Sequence, residues 1–163
     1  MTPAARDAAF MRQALREARK ALGKKEVPIG AVVVRGDKVI ARGHNLKERE
    51  RSALSHAEIQ AIGRACKRLG NWRLEECAIY VTLEPCAMCA GAILESRLAR
   101  VVFGAADPKA GAAGSAQDVF AAHRLAKPAV TGGVLAGECG KMLKSFFKGL
   151  RKKKKLDREQ NKH

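Results

Sequence analysis

The sequence predicts a three-layer α/β/α domain built on a central mixed sheet of about five strands. Three observations carry this. Apolar runs of strand length alternate with segments whose apolar residues recur at helical spacing, the pattern of a sheet covered by helices. The first two runs are separated only by Arg35-Gly36-Asp37 and form a hairpin, while the later ones alternate with helices, so the sheet is mixed. No internal repeat or domain boundary interrupts the chain, and 163 residues suffice for one domain with a real core, read as residues 1–150 followed by a basic tail over 151–163.

In chain order, residues 4–22 form an amphipathic helix, with Phe10, Ala14, Ala18 and Ala21, or Met11, Leu15, Ala18 and Leu22, on the apolar side; Gly23 ends it. Val27–Val34 is a buried-strand run and Lys38–Arg42 returns beside it. Gly43-His44-Asn45 leaves the sheet, and a charged segment, Leu46–Ser55, leads outside the core into a helix marked by Ile59, Ile62, Cys66 and Leu69 and stopped by Gly70. Ala78–Leu83 is a strand, and Pro85 suits the first turn of a helix from Cys86 to about Ser96. Ala99–Phe103 is the next strand, Gly104–Ser115 a Gly- and Ala-rich loop, and Gln117–Ala122 a short helix. Ala129–Leu135 gives a last strand. Glu138–Leu150 gives a terminal helix, with Met142, Leu143, Phe146 and Phe147 at helical spacing; the run Arg151–Lys155 continues it or trails off disordered.

Charge narrows the class of partner. Lys and Arg number 32 against 16 Asp and Glu, a formal +16, far more than solubility requires, and a polyanion is the economical explanation. Residues 141–163 hold ten Lys and Arg and two acids, half of that excess. No apolar stretch reaches the roughly 18 residues of a membrane span, and no signal segment opens the chain. Cys66, Cys77 and Cys139 sit among apolar neighbours as buried thiols with no disulfide framework, so a reducing cytoplasm is expected.

The chemistry concentrates in His56-Ala57-Glu58 and Pro85-Cys86-Ala87-Met88-Cys89. One imidazole and two sulfurs make a soft three-ligand set suited to Zn²⁺, with a fourth tetrahedral position left for water. A structural zinc would want a fourth protein ligand, and none is placed for it. Residues two apart lie about 200° apart around a helix, so His56 and Glu58 can converge only where a helix begins. Thiolates at a helix N-terminus are favoured by its dipole and by a metal. Two thiolates and a neutral His cancel the charge of the ion and blunt its acidity, so the water needs a base. Glu58, outside the ligand count, is the candidate to carry its proton to a ring nitrogen and then to a leaving amine.

The pattern H-x-E with P-C-x-x-C resembles the signature of zinc nucleobase deaminases. The resemblance goes further. Val27-Pro-Ile-Gly-Ala-Val-Val, Thr82-Leu-Glu-Pro-Cys-Ala-Met-Cys-Ala-Gly-Ala92, and Arg100-Val-Val-Phe-Gly-Ala105 followed by Asp107, Lys109 and Gly111-Ala-Ala-Gly-Ser115 are similar to the bacterial tRNA-specific adenosine deaminase family, within the cytidine-deaminase-like fold. The similarity runs from the first helix to about Phe147. It implies hydrolytic conversion of adenosine to inosine at the wobble position of a tRNA anticodon, by a homodimer that contacts the anticodon stem-loop with both subunits.

Carried over, His56, Cys86 and Cys89 bind one zinc per subunit, Glu58 is the proton shuttle, and Asn45 hydrogen-bonds the base. Pro28 and Ile29 join the substrate-binding residues, Asp107 and Lys109 line the RNA path, and Phe147 is an aromatic near it. Before the H-A-E many relatives carry Asp or Asn, then Pro and Thr; this chain reads Ser52-Ala53-Leu54. Two other classes fit parts of the sequence: a small-molecule deaminase of guanine, cytosine or a mononucleotide, opposed by the excess positive charge and the Gly104–Ser115 loop, and an RNA-binding module with an inert zinc, opposed by the spare Glu58.

Overall fold

A computed structural model describes residues 1–162. The elements are α1 (Pro3–Gly23), β1 (Gly30–Arg35), β2 (Lys38–His44), α2 (Ala57–Leu69), β3 (Cys77–Leu83), α3 (Ala87–Glu95), β4 (Arg100–Ala105), α4 (Val119–Ala122), β5 (Ala129–Thr131) and α5 (Ala136–Gln160). The sheet order is β2-β1-β3-β4-β5, antiparallel across β2-β1-β3 and parallel across β3-β4-β5. That is the expected three-layer mixed architecture.

Successive strand residues point to opposite faces, and both faces are covered, which is why the strands read as unbroken apolar runs. Val32 and Val34, Tyr80 and Val102 face α1 and α5, where Met11, Ala14, Leu15 and Cys139 meet them. Ala31 and Val33, Ile79 and Val81, Val101 and Phe103 face α2 and α3, against Ala57, Ala61, Ala65, Ala90 and Ile93. With small residues in the helices, backbone lies close to backbone. A Cβ on Gly30 would run into the α1 backbone at Ala14 and Ala18, and one on Gly43 into α2 at Ala57 and Ala61.

Several boundaries differ from the sequence expectation. Val27-Pro28-Ile29 is not strand: Pro28 has no N–H to give a ladder, and the Ile29 N–H folds back onto the Val27 carbonyl at 2.9 Å, a three-residue turn. β4 runs on to Ala105, so the following loop starts two residues later than expected. β5 stops at Thr131, where Gly132 and Gly133 follow and Gly133 takes a φ of 86°. Pro85 stands outside α3, whose N-cap is Cys86. Cys66 is only half-buried, whereas Cys77 and Cys139 are buried as expected. The basic run over 151–155 is helix, continuous with α5 to Gln160, because Lys, Arg, Leu, Glu and Gln are good helix formers extending a helix already nucleated by its packed first half.

One end of the sheet matters most. β3 and β4 run parallel and end at Leu83 and Ala105, β2 ends beside them at His44, and β1 begins there, paired Gly30 to His44. The connections 24–29, 45–56, 84–86 and 106–118 therefore gather at a single end, the usual place for a site in an α/β sheet.

Gly43→Ala should cost about 1–3 kcal/mol by overpacking and should also weaken metal binding, because Ala57, which the new methyl displaces, adjoins His56. Gly30→Ala should cost a similar amount with metal affinity intact. Urea unfolding and metal titration of the two variants check this pair of outcomes.

Candidate active site

His56 is the N-cap of α2 and Cys86 the N-cap of α3, both in extended backbone, so each leaves its loop just before a helix begins. Cys89 lies in the first turn of α3, wholly buried, and Glu58 in the first turn of α2, 4 % exposed. The His56 Nδ1 is 3.6 Å from the Cys86 Sγ and 3.5 Å from the Cys89 Sγ. A tetrahedral zinc, with bonds of about 2.3 Å to sulfur and about 2.05 Å to nitrogen, would set such N and S atoms about 3.6 Å apart. The three ligand atoms lie within 4.8 Å of one another, so the donor set fits zinc in size as well as in chemistry.

The charges of the cluster are coupled. Hydrogen bonds from Cys89 and His56 hold the Cys86 thiol down to about 3. The contact with Cys86 and burial push Cys89 up. The Cys86 sulfur raises His56, and burial pushes the Glu58 carboxyl above its usual range. The other thiols are pushed up by burial, Cys139 to about 11, and are correspondingly unreactive.

The cluster opens into a cleft of about 670 Å³ whose wall includes His56, Glu58 and Cys86. Of the residues expected to bind substrate, Ile29, Asp107, Lys109 and Phe147 line it. Pro28 and Asn45 lie behind that wall. Pro28 is buried between Val27 and Ile29, which do line the cleft. The Asn45 amide donates to the Val27 carbonyl at 3.3 Å and accepts the Lys47 N–H at 3.1 Å, which leaves it one N–H and one lone pair. Asp107 accepts the N–H groups of Lys109 and Ala110 through one oxygen, at 3.1 and 3.2 Å, and so shapes its own loop.

Two carboxylates that sequence reasoning did not single out hold the cleft's loops. Glu84, 2 % exposed, accepts the N–H groups of Asp107 at 3.1 Å, Ala113 at 3.0 Å and Ser115 at 3.1 Å, together with the Ser115 hydroxyl. Burial would raise its pKa, but those hydrogen bonds, led by Ser115, outweigh it and hold Glu84 below its ordinary value. Gly111 passes so close that a Cβ there would strike this carboxylate. Glu26, 1 % exposed, accepts the N–H groups of Glu48 and Arg49 at 3.2 and 2.6 Å, and the Leu46 N–H closes on the Ser55 carbonyl at 3.0 Å. The charged lead-in to His56 is thus a compact, anchored loop, with Leu46 and Ser55 buried at its base. Lys144 and Arg151 were also missed as cleft residues; they share a face of α5 with Phe147, at spacings of three and four residues, and that spacing could have revealed them.

A family model of MafB19-like deaminases matches residues 5–151. Frame and cluster together are those of the hydrolytic deaminases. Within that class, the chain is 53% identical over 154 residues to the tRNA-specific adenosine deaminase of Bacillus subtilis, covering 94% of this chain and 96% of that one. It superimposes with a TM-score of 0.78 on a solved structure from a study of A-to-I editing by tRNA:A34 deaminases, at 43% identity over 83% of this chain and 99% of that one. A guanine deaminase structure from Bacillus subtilis matches less well, with a TM-score of 0.59 and 35% identity over 74% of this chain and 76% of that one. The chain belongs to the tRNA-specific adenosine deaminase family.

Glu84→Gln preserves shape but offers a single accepting oxygen, so N–H groups now bonded to the carboxylate face an amide. The variant should lose about 1–3 kcal/mol and be cut faster by protease within 106–116. Because the folded Glu84 pKa lies below the ordinary 4.5, its contribution is full above that value and is lost as the pH falls through the lowered one. The stability gap between wild type and variant should therefore close on acidification below 4.5, as read by urea titrations at several pH values.

Proposed function

We propose that this protein hydrolyses adenosine to inosine at the wobble position of a tRNA anticodon, with one Zn²⁺ per chain held by His56, Cys86 and Cys89. The observation that carries the reading is Glu58: a buried carboxylate, outside the three-ligand set, on the wall of the same cleft. When bound, zinc would supply Lewis acidity at its open position, making a water there easier to deprotonate. Glu58 takes the proton of the attacking water, gives it to the adenine ring nitrogen beside C6, and later carries a proton to the amine leaving C6, so oxygen enters and ammonia departs.

The remaining wall suits a base followed by its phosphate chain. Val27, Ile29 and Leu83 offer apolar contact, and Asn45, buried behind Val27, keeps one donor and one acceptor that would reach a base edge only if the base enters past Val27. Lys109, Lys144 and Arg151 bring positive charge to the cleft, Phe147 a stacking face, and Asp107 an acceptor for a ribose hydroxyl. The relatives' names and the match to the A-to-I editing structure support tRNA as substrate. We take the active form to be a homodimer working in the cytoplasm. Among the described residues no helix is long and apolar enough to cross a membrane.

Incubating the protein with an anticodon stem-loop RNA, free guanine, free cytosine and cytidylate separates the readings. Inosine should appear at one loop position while the small molecules stay unchanged; turnover of guanine with no inosine would replace this reading with a small-molecule deaminase.

Metal analysis should find about one zinc per chain, absent from Cys86→Ala and retained in Glu58→Gln. The latter should keep the fold while its single-turnover rate falls by about 10²–10⁴-fold or more. A near-normal rate in that variant would move the proton transfer to another group.

A further inference from the structure

The last turns of α5 are exposed: every residue from Phe147 to Lys162 is open to solvent, and the helix packs on the sheet, against β3 and β4, only through its first half. Yet this outer half is not uniform. Lys144, Phe147 and Arg151 line the catalytic cleft from one face of the helix. Counting on from Arg151 by three, four and seven residues along that face gives Lys154, Lys155 and Arg158. Every one of them is basic. The only acids beyond the cleft, Asp157 and Glu159, fall outside the stripe, and among the described residues none of the stripe's cations is held by a carboxylate.

We propose that this stripe is a docking rail for the base-paired stem of the RNA whose loop enters the cleft. The inference rests on the proposed RNA-deaminase reading and adds to it a second contact, outside the active site, that recognises duplex backbone. Continuity is the first argument: a strand leaving the cleft past Lys144 and Arg151 meets the next three cations on the same face. Length is the second. From Arg151 to Arg158 the helix rises about 10 Å, on the order of three nucleotide steps along one strand. A single-stranded tail would not follow so straight a line of charge, but a rigid stem would. Composition is the third. Beyond Leu150 the helix has one apolar residue, Leu156, so it lacks the apolar face a lipid surface or a protein groove would need.

The test compares two variants of equal charge in the zinc-loaded protein. Lys155→Gln with Arg158→Gln removes two cations from the stripe; Lys152→Gln with Lys153→Gln removes two from other faces of the same turns. Anisotropy titrations at several salt concentrations use a hairpin RNA with a paired stem, the unpaired loop sequence alone, and phosphatidylserine vesicles. The stripe variant should bind the hairpin about tenfold more weakly, with a log–log salt slope shallower by about 1.4–1.8, while its affinity for the loop RNA changes less than about threefold. The other variant should stay within about threefold of wild type on both RNAs. Equal losses from the two variants, equal losses on the two RNAs, or no loss on the hairpin would each overturn the rail; so would vesicle binding tighter than hairpin binding at the same salt. Inosine formation by the wild type is scored separately. A protein that makes none but still shows the hairpin-specific loss keeps its stem contact and loses the proposed reaction.

Discussion

Everything at the active end of this molecule depends on bringing one imidazole nitrogen to 3.5–3.6 Å from each of two sulfurs held by a different helix, the N to S separation a tetrahedral zinc requires. Both helices enter the cluster by their N-termini, where unpaired backbone N–H groups and the helix dipole favour negative charge. The sheet makes the convergence possible. α3 follows β3 directly, and α2 is seated on β2 so closely that Gly43 leaves no room for a side chain. The ligand geometry is therefore fixed by backbone packing laid down far from the sulfurs themselves.

The same economy governs the cleft walls. A loop exposes N–H groups with no ladder to join, and a buried carboxylate, acceptor-only and able to take several donors, gathers them at one point. Glu84 does this for 107–115 and Glu26 for 48–49. Three buried acids thus stand around the site with different work. Glu84, with three N–H groups and a hydroxyl, and Glu26, with two N–H groups, organise loops, while Glu58 stands beside the His and Cys cluster on the cleft wall. Loops anchored in this way present a preformed cleft, so less ordering is required when substrate binds.

Much of this was legible in the residues. Unbroken apolar runs of strand length and apolar residues at period 3.6 mark the five strands and the main helices, and the spacing of His56, Glu58, Cys86 and Cys89 marks the cluster. Boundaries suffered where a local rule competed with the apolar pattern. Val27 and Ile29 are β-branched, but Pro28 between them cannot donate, and the segment became the cleft's lip. The Arg151–Lys155 run had no apolar stripe to declare a helix, and propensity extended from α5 decided it. Glu84 was visible within Thr82-Leu-Glu-Pro-Cys86 but mute, because its role lies in the N–H groups of residues 23 to 31 positions away. Asn45 illustrates the opposite limit. Its family role needs a free amide edge, and only coordinates reveal that half of that amide already braces Val27 and Lys47.

The central claim is that a water, deprotonated by Glu58, replaces the exocyclic amine of one adenosine in RNA. Oxygen-isotope tracing tests it most directly. Stem-loop RNA incubated with the wild-type protein in water enriched in oxygen-18, then digested to nucleosides and weighed, should yield inosine carrying one heavy oxygen on the base, from a single loop position, formed at least about a hundredfold more slowly by Glu58→Gln. Adenosine left intact throughout the RNA, or inosine whose oxygen does not come from the solvent, would contradict the account.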